Sequence, residues 1–138
     1  MNPRDFHSLA LRLANGTTPA EYRSAISRAY YAAYNVAVQF LEAMAIYKPK
    51  QGDLHRTLQN RLVASNDPEI RQVGDDLSDF HARRCKADYD MAHKGSESQQ
   101  NALAAMKEAA AMIAKLDSCP RNGDRWKQIR DSIKQANA

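Results

Sequence analysis

The sequence predicts an all-α protein, an antiparallel four-helix-type bundle with short extra terminal helices. Apolar residues recur at intervals of three and four, and no segment alternates apolar and polar residues as a half-buried strand does. Helix-start signals, Thr18-Pro19 and Asp67-Pro68 among them, separate the periodic segments. The loops between these segments are short, which favours antiparallel neighbours.

The first two helices are predicted from their boundaries. Residues 3–13 form a short helix that the Asn-Gly pair at 15–16 closes. The TPAE motif at 18–21 combines an N-cap, a proline in the first turn and a glutamate three residues after the cap, so it starts a second helix. That helix should reach residue 44 or 46, because its apolar stripe continues to that point: Tyr22, Ile26, Tyr30, Ala33, Ala37, Leu41 and Met44.

The third and fourth helices follow a loop with Pro49 and Gly52. Asp53 is predicted to cap a helix over 54–63, whose leucines recur every four residues. Asp67 and Pro68 begin the fourth helix, with an inner stripe of Ile70, Val73, Leu77, Phe80, Arg84, Ala87 and Met91. At about 100° per residue, Arg84 falls near the middle of this stripe and points inward, whereas Arg83 lies at its edge.

A polar linker over 93–98 leads to a fifth helix over 99–116. Its predicted inner face is Leu103, Met106, Ala110 and Ile113, and its alanines permit close packing. Asp124 is predicted to cap a last, basic helix that carries Trp126, Ile129 and Ile133.

Length and charge define two regions. The 138 residues suffice for about one domain, so we expect residues 1–118 to form the bundle and residues 119–138 a basic tail packed on or beside it. The first region has 15 basic and 14 acidic residues, and the tail has five and two. The formal net charge of +4 therefore comes mostly from the tail and does not by itself indicate a nucleic-acid-binding bundle.

Several function classes are excluded at this stage. Cys85 and Cys119 lie outside any CxxC motif and are predicted to be reduced thiols with no histidine at ligand spacing, so we expect no zinc site, no other metal and no cofactor. No apolar run approaches the roughly twenty residues of a membrane span, and the amino terminus has no long apolar segment. We therefore expect a cytoplasmic protein with no membrane contact.

Two segments carry more arginine and tyrosine than packing requires. The first is RSAISRAYYAAY at 23–34, and the second is RRCKADY at 83–89. Ser24, Arg28, Tyr31 and Asn35 recur at three and four on a polar face of the second helix. A plain bundle would expose that face to solvent, whereas a dimer or ligand cleft would use it. Tyr30 lies on the opposite, apolar stripe and is predicted to pack, with its hydroxyl reaching the surface or a neighbour.

These segments give the chain a resemblance to a known family. SAISRAYYAAY at 24–34, His55 at the head of the third helix and RRCKADYD at 83–90 are similar, in this order, to the small stand-alone branch of the HEPN superfamily, over about residues 20–116. The resemblance implies a helical bundle that forms homodimers. Many such domains are metal-independent ribonucleases or toxins paired with a nucleotidyltransferase antitoxin, and others are silent binding modules.

The resemblance also implies site residues. Arg84 matches the arginine of the family's nuclease motif, with Arg83 as the alternative, but no histidine follows within the four to six intervening residues. Tyr89 occupies that window. His93 could reach the cleft of Arg84 only if the chain turns back after the fourth helix. The candidate catalytic residues are therefore Arg84, Tyr89 and His93, and the candidate RNA- or nucleotide-binding residues are Arg28, Tyr31, Arg83 and Lys86. A structural alternative is that Arg84 pairs with Asp88 one turn later. His55 is expected to be a solvated first-turn residue. His81 lies at the edge of the inner stripe, where a histidine is more often structural, although it could reach the same cleft as Arg84.

Three functions stay open on the sequence. The first is an RNA-linked toxin or effector of a two-gene defence module, which as a nuclease would leave a 2′,3′-cyclic phosphate. The second is a silent module that binds a nucleotide, RNA or a partner protein such as a nucleotidyltransferase. The third is a helical adaptor whose charges are structural.

Overall fold

The protein is helical throughout the described residues. A computed structural model describes residues 1–46 and 54–137. These ranges contain six α-helices, one short 3₁₀ helix and no strand, which confirms the predicted all-α class. The elements are α1 (Arg4–Ala14), α2 (Pro19–Ala43), α3 (Leu54–Val63), α4 (Pro68–Tyr89), the 3₁₀ helix (Lys94–Glu97), α5 (Gln99–Asp117) and α6 (Asp124–Ala136).

Two of the predicted helix starts are confirmed and one is wrong. The Thr18 hydroxyl accepts a hydrogen bond from the Glu21 amide at 3.2 Å, and the Glu21 carboxylate accepts one from the Thr18 amide, which completes the capping box. The Asp67 carboxylate caps α4 by accepting from two backbone amides, at 3.0 and 3.2 Å. Gly123, not Asp124, is the N-cap of α6, because Asp124 already has helical geometry and its carboxylate lies in the first turn. The predicted cap Asp53 lies outside the described residues.

Helix α2 lies at the centre of the packing and contacts α1, α4 and α5. Its predicted stripe is buried from Ile26 to Met44, with Tyr30 and Leu41 fully enclosed. Helix α3 packs mainly on α4, and the two approach closely at Gly74. A Cβ atom there would lie 2.7 Å from the Val63 side chain and 3.0 Å from the Val63 backbone nitrogen. Glycine is therefore what this helix spacing requires.

Two predicted inner faces need correction. Met91 was placed on the inner stripe of α4, but the helix ends at Tyr89 and the Met91 side chain is 65% exposed, because the backbone leaves helical geometry at Asp90. Ala110 was placed on the inner face of α5, but it is exposed, and Leu103 is only half-buried. The buried residues of α5 are Ala102, Ala105, Met106, Ala109, Met112, Ile113 and Leu116. The three buried alanines let α5 approach its neighbours closely.

Helix α6 joins the bundle through an apolar side and a charged clamp. Trp126, Ile129 and Ile133 belong to the same buried cluster as the core of α2 and α4. The Arg125 guanidinium donates to Asp67 at 2.7 Å, so one carboxylate both caps α4 and holds α6. Hydrogen bonding from Arg125 lowers the pKa of Asp67 below its ordinary value.

Candidate functional site

Five side chains from α1, α2 and α4 alternate aromatic rings with guanidinium groups. In order they are Phe6, Arg28, Tyr31, Arg84 and Tyr89, and we refer to them as the arginine–aromatic row. The Arg28 Cζ lies 5.5 Å from the centre of the Phe6 ring and 5.7 Å from that of Tyr31. The Arg84 Cζ lies 5.3 Å from the Tyr31 ring centre and 6.0 Å from that of Tyr89. Each neighbouring pair is within cation–π distance, so the row is continuous.

The row is formed by local helix geometry and by one long-range contact. Arg28 and Tyr31 are three residues apart, which puts them on the same side of α2. Arg84 projects from the inner stripe of α4, and Tyr89 is the last residue of that helix. The structure thus brings together four of the seven candidate site residues, namely Arg28, Tyr31, Arg84 and Tyr89. Phe6 was not among the candidates.

Phe6, Arg28 and Tyr31 are half-buried and Tyr89 is exposed, so the row is accessible except at Arg84. Arg28 is half-buried, and across residues 1–46 and 54–137 its guanidinium has no hydrogen-bond or ion-pair partner. Its guanidinium is attracted to the faces of Phe6 and Tyr31, which leave its charge uncompensated, so it can still bind an anion. Tyr89 is 76% exposed, although a large aromatic ring gains free energy on burial. Both features are typical of a surface that binds something.

Arg84 differs from Arg28 because it is buried and paired. Only 5% of the residue is exposed, and its Nη1 donates to Asp88 at 3.3 Å, one turn later on α4. Ser27 of α2 donates to the same carboxylate at 3.1 Å. Burial acts to lower the pKa of Arg84, but Tyr31 and Asp88 together raise it above its ordinary value. The structural alternative, pairing of Arg84 with Asp88, is therefore confirmed in this geometry.

The Arg84 guanidinium nevertheless keeps one unsatisfied donor. Its Nε is buried and has no hydrogen-bond partner among the described residues. An orphaned buried donor is costly, and the ring faces of Tyr30 and Tyr31 stand in for a partner. Arg84 is therefore the buried cation of the row, held between Tyr31 and Tyr89.

The structure does not bring His93 to the row. The chain does turn back after α4, but the His93 Nδ1 is 2.7 Å from the Ser96 hydroxyl in the next turn. In the described part of the chain, His93 has no hydrogen bond, ion pair or ring contact with Arg84 or Tyr89. A general base and a fixed cation, which metal-independent RNA cleavage requires, are therefore not assembled by these three residues in one chain.

Among the described residues, neither Arg83 nor Lys86 has a side-chain hydrogen bond, ion pair or ring contact with a member of the row. The Arg83 guanidinium donates two hydrogen bonds to Glu108 of α5, one of them at 3.0 Å, and its Cζ lies 4.7 Å from the Phe80 ring centre. Lys86 is exposed, and no carboxylate pairs with it in the ranges described. Of the two, Lys86 has the free charge, and it lies one turn before Tyr89.

Arg23 holds the carboxyl-terminal end of α4, a role that the sequence analysis missed. Its Nη1 donates to the carbonyl oxygens of Lys86, Ala87 and Asp90 at 2.9 to 3.3 Å. Its Nη2 donates to the carbonyls of Met91 and His93 and, like Nε, to Glu97. A signal was present: α4 ends without the glycine that commonly closes a helix, so its last carbonyls needed donors from elsewhere.

A second aromatic cluster lies on the far side of Tyr30. The Tyr30 hydroxyl is 2.6 Å from the His55 Nδ1, and the His55 ring packs on Tyr34 and His81, each with ring centres 4.5 Å apart. Burial raises the pKa of Tyr30 well above its ordinary value, so the phenol stays protonated and can donate to His55. Tyr30 is packed, as predicted, with its hydroxyl on a neighbour. The prediction of a solvated His55 is wrong, because the half-buried ring bonds across to α2.

One prediction about the cysteines also needs correction. His81 precedes Cys85 by one helical turn, and its Nε2 lies 3.7 Å from the Cys85 sulfur, so a histidine does lie at ligand spacing. Among the residues that the structure describes, however, no three histidine, cysteine or acidic side chains are arranged to hold a metal ion. Burial raises the pKa of the Cys119 thiol.

Comparison with known proteins adds no assignment. No family model, no curated protein and no solved structure matches this chain. None of the helices in the described ranges has the length and apolar character needed to cross a membrane.

Proposed function

We propose that this protein is an RNA-linked, HEPN-type module that binds single-stranded RNA along the arginine–aromatic row. The observation that carries the proposal is the unbroken alternation of rings and guanidinium groups from Phe6 to Tyr89. The proposal includes the antiparallel four-helix arrangement and the homodimer implied by the family resemblance. A cytoplasmic location and a nucleotidyltransferase partner in a two-gene module stay predictions of the sequence.

The chemistry of the row suits an unpaired strand. Bases without a partner strand stack on aromatic faces, and guanidinium groups contact phosphates, so successive nucleotides can alternate between the two kinds of side chain. Arg28 offers an uncompensated positive charge between two rings, and Lys86 offers a second charge near Tyr89. A folded duplex would present its phosphates but not its base faces to such a row.

Binding is favoured over cleavage. Asp88 already neutralises Arg84, and the imidazole of His93 is engaged by Ser96. Tyr89 carries a phenol, which is a poorer general base than an imidazole. The alternative function is metal-independent cleavage that leaves a 2′,3′-cyclic phosphate, and the binding experiment below also detects cleavage of the oligonucleotide.

The test is fluorescence anisotropy with a labelled, unstructured RNA oligonucleotide in EDTA. We expect Tyr31→Ala and Arg28→Ala each to weaken binding about tenfold, because one stacked base or one phosphate contact is lost. Arg12→Ala is the matched control, since Arg12 is an exposed arginine of α1 outside the row and has no partner among the described residues. This variant should bind nearly as tightly as the unaltered protein.

Two outcomes would contradict the proposal. One is an affinity for RNA that Tyr31→Ala and Arg28→Ala leave unchanged while circular dichroism reports intact folding. The other is cleavage of the oligonucleotide that disappears in Arg84→Ala, which would replace the binding function by the nuclease function.

A further inference from the structure

We propose that a depression beside Phe6 is a base-binding subsite that selects guanine. It has a volume of about 270 Å³ and lies between the start of α1 and the second half of α2. Among its lining residues are Pro3, Phe6, Asn35, Val38, Gln39 and Glu42. This inference rests on the proposed RNA-binding function and assigns a subsite and a preferred base to it.

The depression continues the arginine–aromatic row. Phe6 belongs to both, and along α2 the residues that face this side recur at three and four: Arg28, Tyr31, Asn35, Gln39 and Glu42. At 1.5 Å per residue the stripe extends for about 21 Å along the helix. A strand that follows the row towards α1 therefore arrives at this depression.

The size and the lining suit one flat base. The volume lies just below the range of about 300 to 1,000 Å³ that is typical of drug-sized ligands, so a single base fits better than a larger molecule. Phe6 is half-buried and offers a ring face, and Pro3 and Val38 add apolar surface. An aromatic face of this kind is what an unstacked base requires.

Charge gives the subsite a direction. Arg28 lies beside the depression, next to Phe6: its Cζ is 5.5 Å from the Phe6 ring centre, close enough for a phosphate on Arg28 and a base on Phe6 to belong to one nucleotide. Glu42, at the other end, is negative and has no ion-pair or hydrogen-bond partner in the described ranges. A phosphate is attracted to the first end and repelled from the second, so the base edge must point towards Glu42.

The polar groups at that end match guanine. A carboxylate only accepts hydrogen bonds, and guanine alone among the four RNA bases presents two adjacent N–H donors, N1–H and the 2-amino group, on its pairing edge. The Gln39 amide, which has no hydrogen bond elsewhere in the described chain, can donate to the O6 acceptor beside them. Adenine and cytosine would each turn an unprotonated ring nitrogen towards the carboxylate, and uracil would turn a carbonyl.

Asn35 supports this arrangement from the side. Its Nδ2 donates to the Tyr31 carbonyl at 2.8 Å, which fixes the amide plane and leaves Oδ1 as an acceptor. The side chains that select the base are thus Glu42, which only accepts hydrogen bonds, and Gln39, which can donate one.

The test uses oligoadenylate probes whose one central nucleotide is guanosine, inosine or adenosine. Free guanosine and inosine monophosphates are measured beside them. Inosine lacks only the 2-amino group. We expect the unaltered protein to bind the guanosine probe about tenfold more tightly than the inosine probe, the size of one lost base contact. Glu42→Gln should remove that difference, while Asp75→Asn, a change at an exposed carboxylate of α4 outside the depression, should preserve it.

The outcomes separate the two proposals. Equal binding of the guanosine, inosine and adenosine probes overturns the guanine subsite, and if Tyr31→Ala still weakens all three, the proposed RNA-binding function stands. A guanosine preference that Glu42→Gln leaves intact also overturns the subsite. A Glu42-dependent preference seen with the monophosphates as well as the oligonucleotides supports a site for guanine nucleotides in general, and one confined to oligonucleotides supports a site for RNA.

Discussion

Arg23 and Arg28 lie five residues apart on α2, and their guanidinium groups have opposite surroundings. Arg23 is 11% exposed in its side chain, donates to five backbone carbonyl oxygens and pairs with Glu97. Arg28 has only ring faces beside it in the described structure. All donors of Arg23 serve the fold, whereas those of Arg28 stay available. The comparison shows that the partners of an arginine, and not its position in a conspicuous motif, decide whether its donors are committed to the fold.

Arg23→Ala should give the largest loss of stability. The substitution leaves the carbonyls at the end of α4 without donors and Glu97 without its buried partner, so we expect the free energy of unfolding to fall by about 3 kcal/mol. Urea denaturation measures this change. Arg12→Ala, at an exposed arginine, should change it by no more than about 0.5 kcal/mol. A loss below about 1 kcal/mol for Arg23→Ala would mean that the hydrogen bonds at the end of α4 are replaceable by water.

Asp67→Asn should have an intermediate effect that depends on pH. Asparagine caps a helix about as well as aspartate, so the substitution keeps the start of α4 and removes the charge that holds Arg125; we expect a loss of about 1 kcal/mol at neutral pH. The pKa of Asp67 is lower in the folded protein than in the unfolded chain, so its stabilisation is present above its ordinary pKa. That stabilisation is lost as the pH falls through the lowered folded value.

The measurement is urea denaturation of both proteins from neutral pH to about pH 3. The difference between their free energies of unfolding should stay constant down to about pH 5 and shrink as the pH falls below about 4. A gap that persists unchanged in acid would show that the carboxylate charge is not what holds α6.

Arg28→Ala should give the smallest loss of stability, within about 0.5 kcal/mol, because only ring contacts are removed from a half-buried side chain. The same variant is expected to weaken RNA binding, so stability and affinity should separate. Thermal or urea unfolding beside the anisotropy measurement checks this. If Arg28→Ala destabilises the protein as strongly as Arg23→Ala, the contrast between the two arginines fails and the row is a packing feature.

The sequence predicted those features whose cause is local. The capping box at Thr18, the cap at Asp67 and the inward direction of Arg84 follow from neighbouring residues and helical phase, and the structure has all three. The face of α5 was misjudged because alanines lie on both its buried and its exposed sides, so their pattern carries little hydrophobic contrast.

The site was only partly predictable, because its remaining contacts are long-range. Arg28 and Tyr31 could be grouped from their spacing, but Phe6 joins them only through the packing of α1 on α2. The partners of Arg23 are backbone carbonyls more than sixty residues away. Because every residue has a backbone carbonyl, the sequence does not indicate which ones Arg23 contacts. His55 was taken for a solvated residue because nothing near it in the sequence indicates Tyr30 as its partner.

The close approach of α3 and α4 at Gly74 restricts how this chain can vary. A side chain at position 74 would meet Val63 Cγ2, and trimming Val63 would not relieve the crowding, since backbone atoms of Val63 and Gln59 lie at 3.0 and 3.1 Å from the same point. Even with Val63 trimmed, the α3 backbone would have to shift by a few tenths of an ångström to admit a Cβ atom at position 74. Descendants that keep this geometry should keep glycine there, whatever happens to the surface around it.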